Sequence, residues 1–200
     1  MKPDYETLLK GGTTWRAKHN GIYLSLAFHG YSEGTNYSHP GIWCYYLHLT
    51  EQMFYPEDWK KLWLPETMTE WGPSHESWNF PDCDFHGGVT FYEKGRMWDK
   101  HLGRQVGTIK VGCDYAHLWD RDEGYPHTYE WVLRDAKHSA EVFMKMFPNR
   151  RTCCDYSGIW GEPDEFYTAA NGTMVHKSHE TRPREDGWTG WLPTNDGDVK

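Results

Sequence analysis

Apolar and polar residues alternate over a short stretch near the start of the chain. Ile22, Leu24, Leu26 and Phe28 fall on one side, and Tyr23, Ser25, Ala27 and His29 on the other, between Gly21 and Gly30. A period of two predicts a half-buried strand. From Ile42 to Leu49 both faces are apolar, through Trp43, Tyr45, Leu47 and Leu49 on one and Ile42, Cys44 and Tyr46 on the other, which is the pattern of a central strand. Pro56-Glu57-Asp58 then opens a short helix carrying Trp59, Leu62 and Trp63, with proline and acids at the end where the helix dipole favours them. Residues 65–84, punctuated by Pro65, Pro73 and Pro81, read as loop. Val89 to Glu93 reads as a strand, Arg96 to Gly103 as a turn, and Val106 to Asp114 as a further strand with Ile109, Val111 and Cys113 on one face.

Between Tyr129 and Phe147 the period changes. Val132, Ala136, Ala140, Phe143 and Phe147 recur at spacings of four and three and form one stripe of an amphipathic helix. Thr128 is placed to cap it, and Pro148-Asn149 to stop it. After Arg151 no period remains. Strands first and the long helix late predict an α+β fold: a mainly antiparallel sheet covered by one long amphipathic helix, with a loop-rich C-terminal extension. Residues 1–150 are expected to form a single domain, and 151–200 an irregular extension packed on it.

Composition sharpens this picture. Leu, Ile, Val and Phe make up less than a fifth of the 200 residues, a fraction low enough to suggest disorder, but 12 Trp and 13 Tyr supply large rings for a core. The formal charge of −8 argues against holding extended nucleic acid electrostatically. No stretch approaches the roughly 20 apolar residues of a membrane helix, and the start has no signal-type apolar run, so a cytoplasmic location is the expectation. Five Cys cannot all pair within the chain, which favours reduced thiols.

The densest polar clusters are Asp82 to Phe91 and Gly112 to Asp120. His86-Gly87-Gly88 at a strand entrance lets backbone approach a ligand, or simply supports a tight turn. Asp114, His117 and Asp120 can share one side of a helical turn, and a His with carboxylates can act as acid and base or hold a cation. The plainer reading has equal weight: Asp114 caps a turn and His117 satisfies it. Cys83-x-x-His86 and Cys113-x-x-x-His117 match zinc spacings only as loosely as chance allows in a chain with 12 His and 5 Cys. Asp120 also belongs to the acidic run Trp119 to Gly124, whose simplest reading is a solvated turn.

Three segments carry a resemblance: Trp43-Cys44-x-Tyr46 after Pro40-Gly41, His86-Gly87-Gly88-Val89-Thr90-Phe91, and Gly112-x-Asp114-x-Ala116-His117. In order and approximate spacing, over residues 39 to 147, they resemble a largely uncharacterised family of small tailed-phage proteins. Its members carry Trp-Cys-Gly-Tyr-Val, His-Gly-Gly-Leu-Thr-Phe and Gly-Phe-Asp-Cys-Ala-His segments. The resemblance implies phage origin, action in the infected host cell and a shared site. Tyr45 stands where the family has Gly, Tyr115 where it has Cys, and Cys113 where it has Phe. A Cys that moves is a poor metal ligand, so the matching ionisable positions are His86, Asp114 and His117.

Three functions follow as expectations. The first is a phage accessory protein that binds a small phosphorylated, nucleotide-type ligand and sequesters a host defence signal. Gly87, Gly88, Thr90, Trp43, Tyr46 and Asp120 would line its site, with rings stacking a base and backbone N–H groups meeting phosphate. The second is a hydrolase or phosphodiesterase in which His86 and His117 serve as base and acid and Asp114 orients one of them, with or without a metal. The third is an inhibitor of a host protein using Trp188 and Trp191. No cofactor is specified, and self-association is left open.

Overall fold

The computed structural model describes residues 13–29, 42–69, 72–75, 77–116, 120, 128–155, 157–169 and 173–179. Five strands build the main sheet: β1 (Thr13–His19), β2 (Ile22–His29), β3 (Ile42–Thr50), β6 (Phe91–Asp99) and β7 (Arg104–Asp114). Their order is β1-β2-β3-β7-β6, with every neighbouring pair antiparallel. The both-faces-apolar segment at 42–50 is indeed the central strand. Among the described residues two α-helices accompany the sheet, α1 (Pro56–Leu62) and α2 (Tyr129–Met146), so the fold is α+β with a mainly antiparallel sheet.

The core lies between one face of the sheet and the helices. Ile22, Leu24, Leu26 and Phe28 of β2, Trp43, Tyr45, Leu47 and Leu49 of β3, and Ile109, Val111 and Cys113 of β7 are all buried. Helix α2 meets them with Val132, Ala136, Ala140 and Phe143, the stripe expected from the sequence. Ser139 is the polar member of that buried face, and its hydroxyl is bonded to Tyr45 Oη at 2.8 Å and donates to the Asp84 carbonyl at 3.1 Å. Thr128 caps the helix, its Oγ1 accepting from the Trp131 N–H at 3.3 Å.

Three elements depart from expectation. Thr13–His19 is a strand although it is polar at most positions, because as an edge strand it needs only one face. The proline-rich stretch after Pro65 contains a hairpin, β4 (Glu66–Thr69) with β5 (Gly72–His75), in which Pro73 occupies a ribbon that is two-stranded among the described residues. Strand β6 begins at Phe91 and continues through Arg96 to Asp99, so the turn is confined to residues 100–103. Asp99 sets that turn, its Oδ1 accepting from the His101 and Leu102 N–H groups at 2.7 and 2.9 Å. Beyond Arg151, short pairs form: β8 (Thr152–Cys153) with β9 (Trp160–Gly161), and β10 (Phe166–Thr168) with β11 (Met174–His176). Asp155 links this segment to the sheet, pairing with Lys18 through one oxygen and accepting from the Met174 N–H at 2.8 Å through the other.

Candidate functional site

His86 lies in the turn that follows Cys83, and its ring stacks on Tyr115 with centroids 4.0 Å apart and planes 9° from parallel. Its Nε2 meets Asp120 Oδ1, a carboxylate only 1 % exposed. The Tyr115 hydroxyl donates to Asp135 Oδ2 at 2.8 Å, and the Trp131 indole N–H donates to the same oxygen at 3.0 Å. Burial and the Asp135 carboxylate push the Tyr115 phenol far above its ordinary range, so it remains a hydrogen-bond donor. The His86 backbone N–H donates to Tyr45 Oη at 3.3 Å. This is a His–carboxylate pair locked by a ring stack at the junction of sheet and helix.

Asp114 is not part of it. Side chains alternate along β7, so Cys113 turns to the helix side and Asp114 to the opposite face. There Asp114 Oδ2 accepts from the Thr90 hydroxyl at 2.7 Å, Thr90 Oγ1 accepts from the Asp114 N–H at 3.1 Å, and Asp114 Oδ1 caps the Ala116 N–H at 3.1 Å. The carboxylate that His86 meets is Asp120, and the acidic-run residue expected to be solvated is the buried one. His117 lies outside the described residues, as do Trp188 and Trp191.

The expected ligand-lining residues separate in the same way. Trp43 is 1 % exposed and packs against Trp15, Phe28 and Tyr129 at 5.3, 4.9 and 6.2 Å, so it is a core ring rather than a stacking platform. Tyr46 and Thr90 sit on the polar face of the sheet, where the Lys110 ammonium lies 4.1 Å over the Tyr46 ring and 4.8 Å from that of Phe91. Gly87 and Gly88, at φ 66° and 94°, form an exposed turn closed by the Gly88 N–H on the Phe85 carbonyl at 2.8 Å. Among the described residues no three His, Cys, Asp or Glu side chains gather in a metal-holding arrangement, and none of the five cysteines is in a disulfide.

A different place combines open volume, aromatic walls and positive charge. Between α1 and the β6–β7 hairpin is a groove of about 380 Å³ lined by Glu51, Trp59, Trp63, Arg96, Arg104 and Gly107, with Lys60 at its rim. Trp59 and Trp63 are four apart on the helix and its cap, which puts both indoles on one side, 5.3 Å apart at 41°. Gly107 faces them. A Cβ there would stand 2.8 Å from Trp59 and 2.9 Å from Trp63, so only glycine leaves the rings where they are. Arg96 is cross-strand partner to Gly107. Arg104 Nη2 donates to Glu51 Oε1 at 3.1 Å, and the Gly107 N–H donates to Glu51 Oε2 at 2.9 Å. Arg96 has no ion-pair partner among the described residues. With Arg104 paired to Glu51 at 3.1 Å and Lys60 to Glu57 at 3.2 Å, Arg96 is the cation that leaves the groove positive on a chain of net charge −8.

The sequence signals for this groove are faint: a Trp pair at spacing four, with Arg96 opening the segment expected to be a turn and Arg104 just after it. A shallow hollow on the outward face of α2 has Glu130 and Glu141 balanced by Arg134, Lys137 and His138, and so offers no comparable field.

Comparison of the chain with protein-family models, with curated proteins and with solved structures gave no match.

Proposed function

We propose that the protein binds a small phosphorylated, nucleotide-type ligand in the Trp59–Trp63 groove. The observation that carries this reading is the joint presence, in one hollow, of two indole walls and the Arg96 guanidinium, which has no ion-pair partner among the described residues. An indole face stacks a base with little regard to its identity, and a guanidinium fork matches phosphate oxygens. The volume, about 380 Å³, suits a ligand of nucleotide size. The ligand-binding function expected from the sequence is kept, and its place moves from residues 43, 46, 87, 88, 90 and 120 to the groove. The resemblance of three segments to a tailed-phage family supports a biological setting for such binding: a phage accessory protein that sequesters a nucleotide signal of host defence.

The test is a titration of the purified protein with nucleoside mono- and diphosphates, followed by indole fluorescence and calorimetry. Binding is expected to fall about tenfold in Arg96→Ala and to vanish in Trp63→Ala, a variant whose fold is checked by circular dichroism. Heating the loaded protein should release the ligand intact. Absence of binding by every nucleotide at millimolar concentration overturns the reading.

A second reading, a hydrolase or phosphodiesterase, is favoured by the His86–Asp120 pair, because a buried carboxylate fixes the tautomer and orientation of an imidazole for acid–base work. Asp120 takes the orienting role first assigned to Asp114. A product formed from the nucleotide and lost in His86→Ala would favour this reading over sequestration.

A further inference from the structure

Resting on the groove as the nucleotide site, the geometry points to guanine as the base it selects, read by the Glu51 carboxylate. Glu51 is fixed on the groove wall from two sides. Oε1 accepts from Arg104 Nη2 at 3.1 Å, and Oε2 accepts from the Gly107 N–H at 2.9 Å. One bond to each oxygen sets the orientation of the carboxylate and leaves each oxygen a further lone pair. Its side chain is one-third exposed, into the same hollow that Trp59 and Trp63 wall.

A base stacked on those indoles presents its hydrogen-bonding edge sideways. Guanine alone among the common bases offers two adjacent donors there, N1–H and the N2 amino group, spaced to meet the two oxygens of one carboxylate. Adenine and cytosine offer a donor beside an acceptor, and uracil a donor between two acceptors. An ionised carboxylate only accepts, so it faces the ring acceptors of those bases unfavourably. The Gly107 N–H, followed by the Arg104 guanidinium, holds the Glu51 carboxyl below its ordinary range, which keeps it an acceptor at neutral pH. Arg96 remains for the phosphate. A site built to bond such a donor pair rejects analogues lacking it far more strongly than an apolar pocket rejects a methyl group.

The experiment compares GMP, IMP, AMP and 2′-deoxy-GMP by calorimetry on the full chain and on Glu51→Gln. GMP is expected to bind at least tenfold more tightly than AMP, with IMP, which lacks the N2 amino group, between them and 2′-deoxy-GMP equal to GMP. In Glu51→Gln the GMP-to-AMP ratio should collapse below threefold, because an amide offers one donor and one acceptor. A protected guanine N1–H resonance of labelled GMP in the wild-type complex gives a readout independent of any variant's folding. GMP and AMP binding equally well overturns the guanine assignment and leaves the groove as the nucleotide site. A preference that survives in Glu51→Gln, or that follows the 2′-hydroxyl, overturns the role of Glu51. Failure of all four to bind overturns the groove reading itself.

Discussion

Single positions decide what the groove can do. Glu51 combines structural and recognition roles, since its two bonds tie the β7 backbone to the short turn after β3. Because its folded-state pKa lies below the ordinary carboxylate value, its contribution to stability is complete above that ordinary value and is lost as pH falls through the folded one. Glu51→Gln is therefore expected to lower stability at neutral pH and to flatten the acid limb between the two values, as urea unfolding at a series of pH values would show. An unchanged acid limb would mean that the carboxylate's bonds contribute nothing. His86 and Asp114 make a contrasting case. Both were legible in the sequence as ionisable residues beside turns, and both are hydrogen-bonded. Their separation follows from strand alternation, which places Cys113 and Asp114 on opposite faces.

At the scale of elements, the helix and the central strand were the most legible parts. The 129–147 periodicity spans five turns and so averages over local exceptions, and the structure places α2 at Tyr129–Met146 with the expected stripe buried. Phe143 is fully buried and meets Phe54, Phe80 and Phe147 at ring distances of 5.8, 6.1 and 4.9 Å. Phe143→Ala should cost about 3–5 kcal/mol, from lost transfer energy and the cavity left behind. Thr128→Ala, which removes one exposed cap bond, should cost only about 1 kcal/mol. Denaturant unfolding of the two variants checks that order, and a larger loss at Thr128 would contradict the account of where α2 gets its stability. The less legible elements were short or at an edge. Strand β1 is weakly marked because only Trp15 and Ala17 are apolar on the face it half-buries, and the 65–84 stretch carried proline signals that outweighed a four-residue ribbon.

Over the whole molecule, long-range contacts between segments far apart in sequence set the architecture. Asp155 is a clear instance, since it joins Lys18 of the first strand to the Met174 backbone of the last. Asp155→Ala is expected to raise amide exchange across residues 152–176 while β2, β3 and β7 keep their protection, as mass-resolved hydrogen exchange would reveal. Equal acceleration everywhere would show that the C-terminal segment and the sheet open as one unit. No helix among the described residues is long and apolar enough to cross a membrane.

Local chemistry along the chain was enough to determine the α+β class, the central position of β3, the span and buried stripe of α2, and the capping by Thr128 and Asp114, because propensity, periodicity and caps act over a few residues. Convergence was decided by the tertiary structure alone. It matched His86 with Asp120 across 34 residues, buried Trp43 in the core, and set two indoles of α1 and its cap against the arginines of a hairpin some 40 residues later. Those meetings depend on strand order and on which face each helix covers, and both result from burying the whole apolar surface at once rather than from any one segment.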